Sequence, residues 1–199
     1  QLCHDLVSQA RETREDPYDV LTAQAATSPP GARGVLLHPH LAGGSSLEPS
    51  PNIRGAFLGL DLGHTRADVI RATLEGIALN LRLVLDALRR LGDLGTEMVA
   101  VGGGSRSPLW RQIFADALEM DILKTQVGQE AGSLGAAAVA AVATGLWSDF
   151  QRIDEVHRLE DVSRPDPSRV AVYRKLLPVF HEAGEYLSRL GDQLTDLES

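Results

Sequence analysis

Three consecutive glycines, Gly102, Gly103 and Gly104, followed by Ser105-Arg106-Ser107-Pro108, are the residues of this chain best placed to do chemistry. A short apolar run, Met98 to Val101, precedes them and a helical pattern follows. That order predicts a buried strand, a tight turn and a helix start. Glycine accepts positive φ and carries no side chain to hold a ligand off, so three in a row let the backbone come close to a guest. Pro108 suits the first helical position and Ser107 the N-cap. Unsatisfied N–H groups at such a helix start, with the positive end of its dipole, favour a phosphate or another anion. The same glycines would also serve a purely structural strand-to-helix connection, and the local pattern leaves both readings open.

Few other residues compete for a chemical role. His38-Pro39-His40 ends a brief apolar stretch, Val35 to Leu37, but no further ligands stand at metal-binding spacing, so an ordinary strand end is expected and no metal ligand set is read. Glu75, beside Gly76 in a helical pattern, reads as a solvated carboxylate. Only two lysines occur, Lys124 and Lys175, and no G-x-x-x-x-G-K-[ST] loop is present, so a lysine-centred phosphate loop is excluded.

The elements that must position the glycine turn follow from periodicity. Leu2 to Thr13 reads as a helix with Leu2, Leu6 and Ala10 on one side, and Val20 to Ala26 as a second short helix between Pro17 and Ser28-Pro29-Pro30-Gly31. Ala42 to Arg54 is a loop, long enough to be a surface or cleft-lining segment. Gly55 to Leu60 is a strand or turn. Thr65 with Asp68 resembles a capping box. Behind it Ile70, Leu74, Ile77, Leu81, Val84, Leu88 and Leu91 recur at spacings of four and three, which predicts a long helix with those seven facing the core. After the glycine turn, Leu109, Ile113, Phe114, Ala117 and Leu118 give the next helix its buried face. Ile122 to Val127 is a strand, and Leu134 to Thr144 a helix of small residues expected to pack closely in the core. Asp149 to Arg164 reads as a charged surface segment, and Pro165 onward as a final helix bent at Pro178.

Composition sets the frame. The 199 residues are 43% hydrophobic and 23% charged with a net charge of −8, which fits a globular chain and argues against a nucleic-acid partner. No apolar run approaches a membrane span, so no membrane partner is expected. The single cysteine, Cys3, excludes an internal disulfide and fits a reducing, cytoplasmic compartment. No signal peptide opens the chain, and Gln1 in place of Met leads us to expect a cut or partly recorded protein.

Specific motifs reach further. Gly55-Ala-Phe-Leu-Gly-Leu-Asp-Leu-Gly-His-Thr-Arg-Ala-Asp-Val-Ile-Arg-Ala-Thr-Leu-Glu-Gly76 resembles the second signature of the FGGY carbohydrate kinases. Val101 to Gln112 with Ile113-Phe-Ala-Asp116 resembles the nucleotide-site segment of that family in its xylulokinase-like branch, and Glu130 to Ala138 and Gly145-Leu-Trp147 continue the likeness. The resemblance implies an α/β fold, a ribonuclease-H-like (actin-like ATPase) domain forming the C-terminal half of a two-domain sugar kinase. It would span residues 1–199, with a core at about 31–147, a helical extension at about 165–192 and its N-terminal hairpins incomplete.

The activity so implied is ATP-dependent phosphorylation of a sugar, a ketopentose such as D-xylulose, with ATP and Mg2+ as cofactors. Gly102, Gly103, Gly104 and Ser107 would bind the nucleotide. The resemblance puts the catalytic base in an N-terminal domain absent here, so no catalytic residue is expected in this chain and the isolated fragment is expected to be inactive. A homodimer is compatible with the resemblance. One loop departs from the family: Gly43-Gly44-Ser45-Ser46-Leu47 and Ser50-Pro51 stand where Gly-Glu-Arg-x-Pro and Asp-Pro are usual, which leaves the sugar open. Two other classes stay in view. One is a non-catalytic actin-fold binding module. The other is a dinucleotide-binding oxidoreductase, since Gly102-x-Gly104-x-x-Ser107 approaches G-x-G-x-x-G/A and Glu130 follows the next strand.

Overall fold

Helix α3 (Arg66–Arg89) runs through the middle of the molecule and the other elements are placed against it. The computed structural model describes residues 4–45, 47–156 and 158–198; Gln1, Leu2, Cys3 and Ser46 lie outside the described residues. The predicted cap is present: the Asp68 carboxylate accepts from the Thr65 N–H and hydroxyl, both at 2.8 Å, and from Ser28 Oγ at 2.7 Å. The buried face differs from the predicted stripe. Ile70, Leu74, Ala78, Leu79 and Leu85 are buried, whereas Leu81, Leu88 and Leu91 are exposed. The first half of α3 is enclosed on nearly every side, so Asp68, Arg71, Glu75 and Gly76 are buried along with the apolar residues. Gly76 is required there: a Cβ at that position would lie 2.1 Å from the Leu37 carbonyl oxygen, so glycine lets α3 press against strand β1 (Leu36–His38).

Ahead of α3 come α1 (His4–Thr13) and α2 (Pro17–Ala25); Asp16 caps α2 by accepting from Tyr18 N at 2.9 Å, with Pro17 at the first helical position. Leu6 and Ala10 are buried. β1 pairs antiparallel with β2 (Ala56–Leu58) as a two-stranded sheet. A second sheet has the order β3 (Glu97–Ala100), β4 (Asp121–Thr125), β5 (Leu159–Ser163), with β3 and β4 parallel and β4 and β5 antiparallel. Helix α4 (Pro108–Leu118) connects β3 to β4, and α5 (Ala131–Ala143) and α6 (Arg152–Val156) precede β5. The chain closes with α7 (Pro167–Glu198), which continues through Pro178 and contributes Tyr173 and Phe180 to the main core beside Leu36, Ile70, Leu74, Leu79 and Ile113.

Three expectations are corrected. β3 is not buried: it is a sheet edge with Met98 and Val99 exposed, because no described element covers it. α5 is not core: only Ala138 and Ala141 are buried in it. The charged 149–164 segment is not merely surface winding. It contains β5, whose Asp161 and Glu160 pair with Arg111 and Lys124, a charged edge strand whose composition hides its pairing. Among the described residues no helix is long and apolar enough to cross a membrane.

Candidate nucleotide site

The glycine turn is built in two steps. Between β3 and α4 the chain makes a 3₁₀ turn, Gly103–Arg106, which the sequence pattern does not reveal. Gly102 enters it at φ 80°, a conformation suited to glycine, and is tied down: its N–H donates to Gly128 O at 3.2 Å and its carbonyl accepts from Ser105 N and Oγ. Ser107 then caps α4, accepting from Trp110 N at 3.3 Å, with Pro108 at the first helical position as expected. From behind, the buried Arg111 donates to the Ser105 and Arg106 carbonyls and to Asp161 of β5, so the turn is clamped to the sheet.

Its front is open. A Cβ at Gly102 or Gly103 would meet nothing within 4 Å, and the Gly103 and Gly104 amides stand at the turn's start, where no intrahelical acceptor exists. Gly104 lies under the Trp110 ring, which a Cβ there would approach to 3.2 Å; Trp110 in turn stacks on Phe114 at 5.5 Å. Gly103, Gly104 and Ser107 line a cavity of about 1020 Å³, and Gly102 adjoins them in the chain. The opposite wall is the α1–α2 junction with the start of α2, Arg14 to Thr22, and the floor is Val69, Ile70, Thr73, Leu74 and Ile77 of α3 with Trp110. An apolar floor with a polar rim suits a flat organic ring bearing a charged tail. The sequence pattern assigned Ile70, Leu74 and Ile77 to the core alone and gave no role to the α1–α2 junction. A junction 80 or more residues away in sequence leaves no local sign of where it folds back.

The remaining candidates are engaged elsewhere. Glu75, expected to be solvated, is buried: its Oε1 accepts from Arg71 Nε at 2.7 Å, Tyr173 Oη at 2.8 Å and Gly31 N at 3.0 Å. Burial pushes its carboxyl up while Arg71 and Tyr173 hold against it, and burial and the Glu75 charge push the Tyr173 phenol well above its ordinary range. This network ties α3 to α7 and the Pro30–Gly31 turn. His38 Nε2 bonds to Phe180 O at 2.8 Å and its ring stacks on Phe180 at 3.9 Å, and burial lowers its pKa. His40 Nε2 meets Glu48 at 2.9 Å. Both line a second, smaller hollow of about 480 Å³ between α3, α7 and the 47–49 segment, remote from the glycine turn. Glu48 also accepts from Ser45 N and Oγ, so the departing loop carries one carboxylate of its own, held at about 2 by these donors against the opposing effect of burial. Among the described residues no group of three or more His, Cys, Asp or Glu side chains is arranged to hold a metal ion.

With this geometry in hand, the similarities to known proteins fall into one family. The family of carbohydrate kinases named FGGY, in its C-terminal domain, matches residues 1–144, and the chain belongs to it. It is 35% identical over 184 residues to a gluconokinase of Bacillus subtilis, covering 92% of this chain and 36% of that protein. It is 31% identical over 166 residues to a xylulose kinase of Staphylococcus epidermidis, covering 83% of this chain and 33% of that protein. The crystal structure of ligand-bound xylulose kinase from Lactobacillus acidophilus superposes with a TM-score of 0.78 at 29% identity, covering 95% of this chain and 39% of that one. The chain therefore spans well under half the length of the relatives it matches. Family membership sets the dinucleotide-oxidoreductase reading aside.

Proposed function

We propose that this chain is the nucleotide-binding half of an ATP-dependent sugar kinase, a ribonuclease-H-like, actin-like ATPase domain. The observation that carries the reading is the open cavity walled by Gly103 and Gly104 in a chain of this family. The residues present fit the ligand. The apolar floor of α3 and Trp110 would receive the base, and the open Gly103 amide, with that of Gly104 beside it, would meet phosphate oxygens that a side chain at Gly103 would keep away. The magnesium this reaction calls for would be held by the phosphates of the bound nucleotide and would supply charge neutralisation there.

The base that orients the sugar hydroxyl belongs to the N-terminal domain, as does most of the sugar site. We place that domain and the remaining strands of the sheet along the uncovered edge strand β3, where Met98 and Val99 are exposed, and against α5, where Val139 is exposed. The acceptor is a ketopentose such as D-xylulose or, as the gluconokinase relative favours, a sugar acid such as gluconate.

Calorimetric titration of the 199-residue chain with ADP tests the nucleotide half of the reading: saturable binding that ATP displaces and NADH does not is expected, and its absence overturns the proposal. A coupled ADP-release assay on a protein of full family length containing this chain then decides the acceptor. Turnover with D-xylulose or with gluconate assigns it, and silence across ketopentoses, polyols and sugar acids leaves a binding module without kinase activity.

A further inference from the structure

The nucleotide cavity is poorly supplied with positive charge for a polyphosphate. Its walls carry two cations, Arg14 and Arg106, against three carboxylates, Glu15, Asp16 and Asp19, and neither lysine of the chain reaches it. One of the two cations is already engaged. Arg106 Nη1 lies 3.2 Å from Asp16 Oδ2, an ion pair that crosses from the glycine turn to the α1–α2 junction. The side chains are 51% and 29% exposed, so the pair is open to water and cheap to break. Arg106 is also fixed at its root: its backbone closes the 3₁₀ turn two residues after Gly104, and its carbonyl is held by Arg111. Only its long side chain is free to swing.

Resting on the nucleotide reading, we infer that Arg106 is a phosphate-positioning residue held off duty by Asp16. The guanidinium bridges the cavity to Asp16. When a nucleotide brings its phosphates to the Gly103 and Gly104 amides, the phosphate oxygens offer Arg106 a denser negative charge than one carboxylate, and the guanidinium turns to them in two parallel N–H···O bonds. Asp16 and the nucleotide thus compete for one cation, and Asp16 weakens binding by the worth of the pair it keeps. Release of the pair also frees the α1–α2 junction from the glycine turn, so the two walls of the cavity are coupled to occupancy.

Opposite signs for the two partners distinguish this arrangement from a merely structural ion pair. Asp16→Asn removes the charge but keeps a side-chain oxygen to cap α2, so the fold of the wall is retained. In ADP titrations of the full chain, Arg106→Gln is expected to weaken binding about tenfold or more, the loss of charge-assisted bonds to phosphate. Asp16→Asn is expected to tighten it about twofold to fivefold, the release of an exposed pair. In the Arg106→Gln background, Asp16→Asn should change affinity by less than about 1.5-fold, because the cation it restrained is gone. Adenosine, which has no phosphate, should bind wild type and Arg106→Gln alike. Wild-type binding with Arg106→Gln unaffected, or with Asp16→Asn weaker than wild type, overturns the inference while leaving the nucleotide site intact. No binding of ADP to the wild-type chain overturns the nucleotide reading itself.

Discussion

Replacing Gly103 should move stability and affinity in opposite directions. At this position the backbone is in a 3₁₀ turn with no positive φ, and a Cβ meets nothing within 4 Å. Alanine therefore enters without strain and removes freedom from the unfolded chain, a stabilisation of ~0.4–1 kcal/mol. For a chain of this size that raises Tm by about 1–4 °C. The empty space that makes Gly103→Ala harmless is the space we assign to a phosphate group, so Gly103→Leu, which fills more of it, should lose at least about tenfold in ADP affinity, ~1.4 kcal/mol, with a Tm near wild type. The neighbours serve as internal references. Gly102→Ala must adopt φ 80° and should destabilise by ~1 kcal/mol or more, and Gly104→Ala must press the Trp110 ring from 3.2 Å. Differential scanning fluorimetry and ADP calorimetry on the same preparations read both quantities. A Gly103→Leu chain that is well folded and binds ADP as tightly as wild type would refute the assignment of the turn to phosphate, and a Gly103→Ala chain that melts lower would refute the open geometry on which the assignment rests.

Two further outcomes follow from the buried charges. Glu75→Leu strands Arg71, Tyr173 and the Gly31 amide without their shared acceptor and should cost ~3–5 kcal/mol in urea unfolding, whereas Arg71→Met with Glu75→Leu together should recover the part owed to the stranded guanidinium; a double variant as unstable as the sum of the singles would count against a coupled pair. Asp68 is held at about 2 chiefly by the Ser28 hydroxyl, with Thr65 and Arg33 adding to it. Its folded pKa lies below the unfolded value of 3.8, so the stabilisation is full above about pH 4 and is lost as pH falls through about 2, an effect of at most ~2 kcal/mol. Acid unfolding of Asp68→Asn should accordingly be flatter than wild type across pH 4 to 2, and superimposable profiles would remove Asp68 as the cause.

What the sequence disclosed was mostly local. Thr65 with Asp68 and Ser107 with Pro108 mark helix starts by chemistry that acts over three or four residues, and both starts lie where those residues put them. The glycine run likewise announced an open turn, because absent side chains and available amides are properties of the residues themselves. What stayed hidden depended on residues far apart in the chain. Glu75 looked like any solvated helix carboxylate until α7 and the Gly31 turn closed over it. The cavity's outer wall, with Asp16 facing Arg106, is assembled across 90 residues and has no motif. β5 was concealed by the charges that an edge strand carries toward Arg111 and Lys124.

β3 and α5 present the opposite case, in which the pattern was read correctly and the conclusion was still wrong. Met98 to Val101 and the alanine-rich helix have the composition of covered elements, yet β3 is an edge with Met98 and Val99 exposed, Val101 just beyond it is exposed too, and α5 buries only Ala138 and Ala141. Apolar periodicity reports that a surface is better off out of water. It does not report which chain supplies the cover. Uncovered strands with free backbone donors and acceptors are also the surfaces most prone to unwanted pairing. The mismatch between an apolar pattern and an exposed position is therefore physical support for our placing further polypeptide against these elements. The glycine turn lies at the end of β3 itself, so whatever covers that strand also lies next to the cavity we assign to the nucleotide.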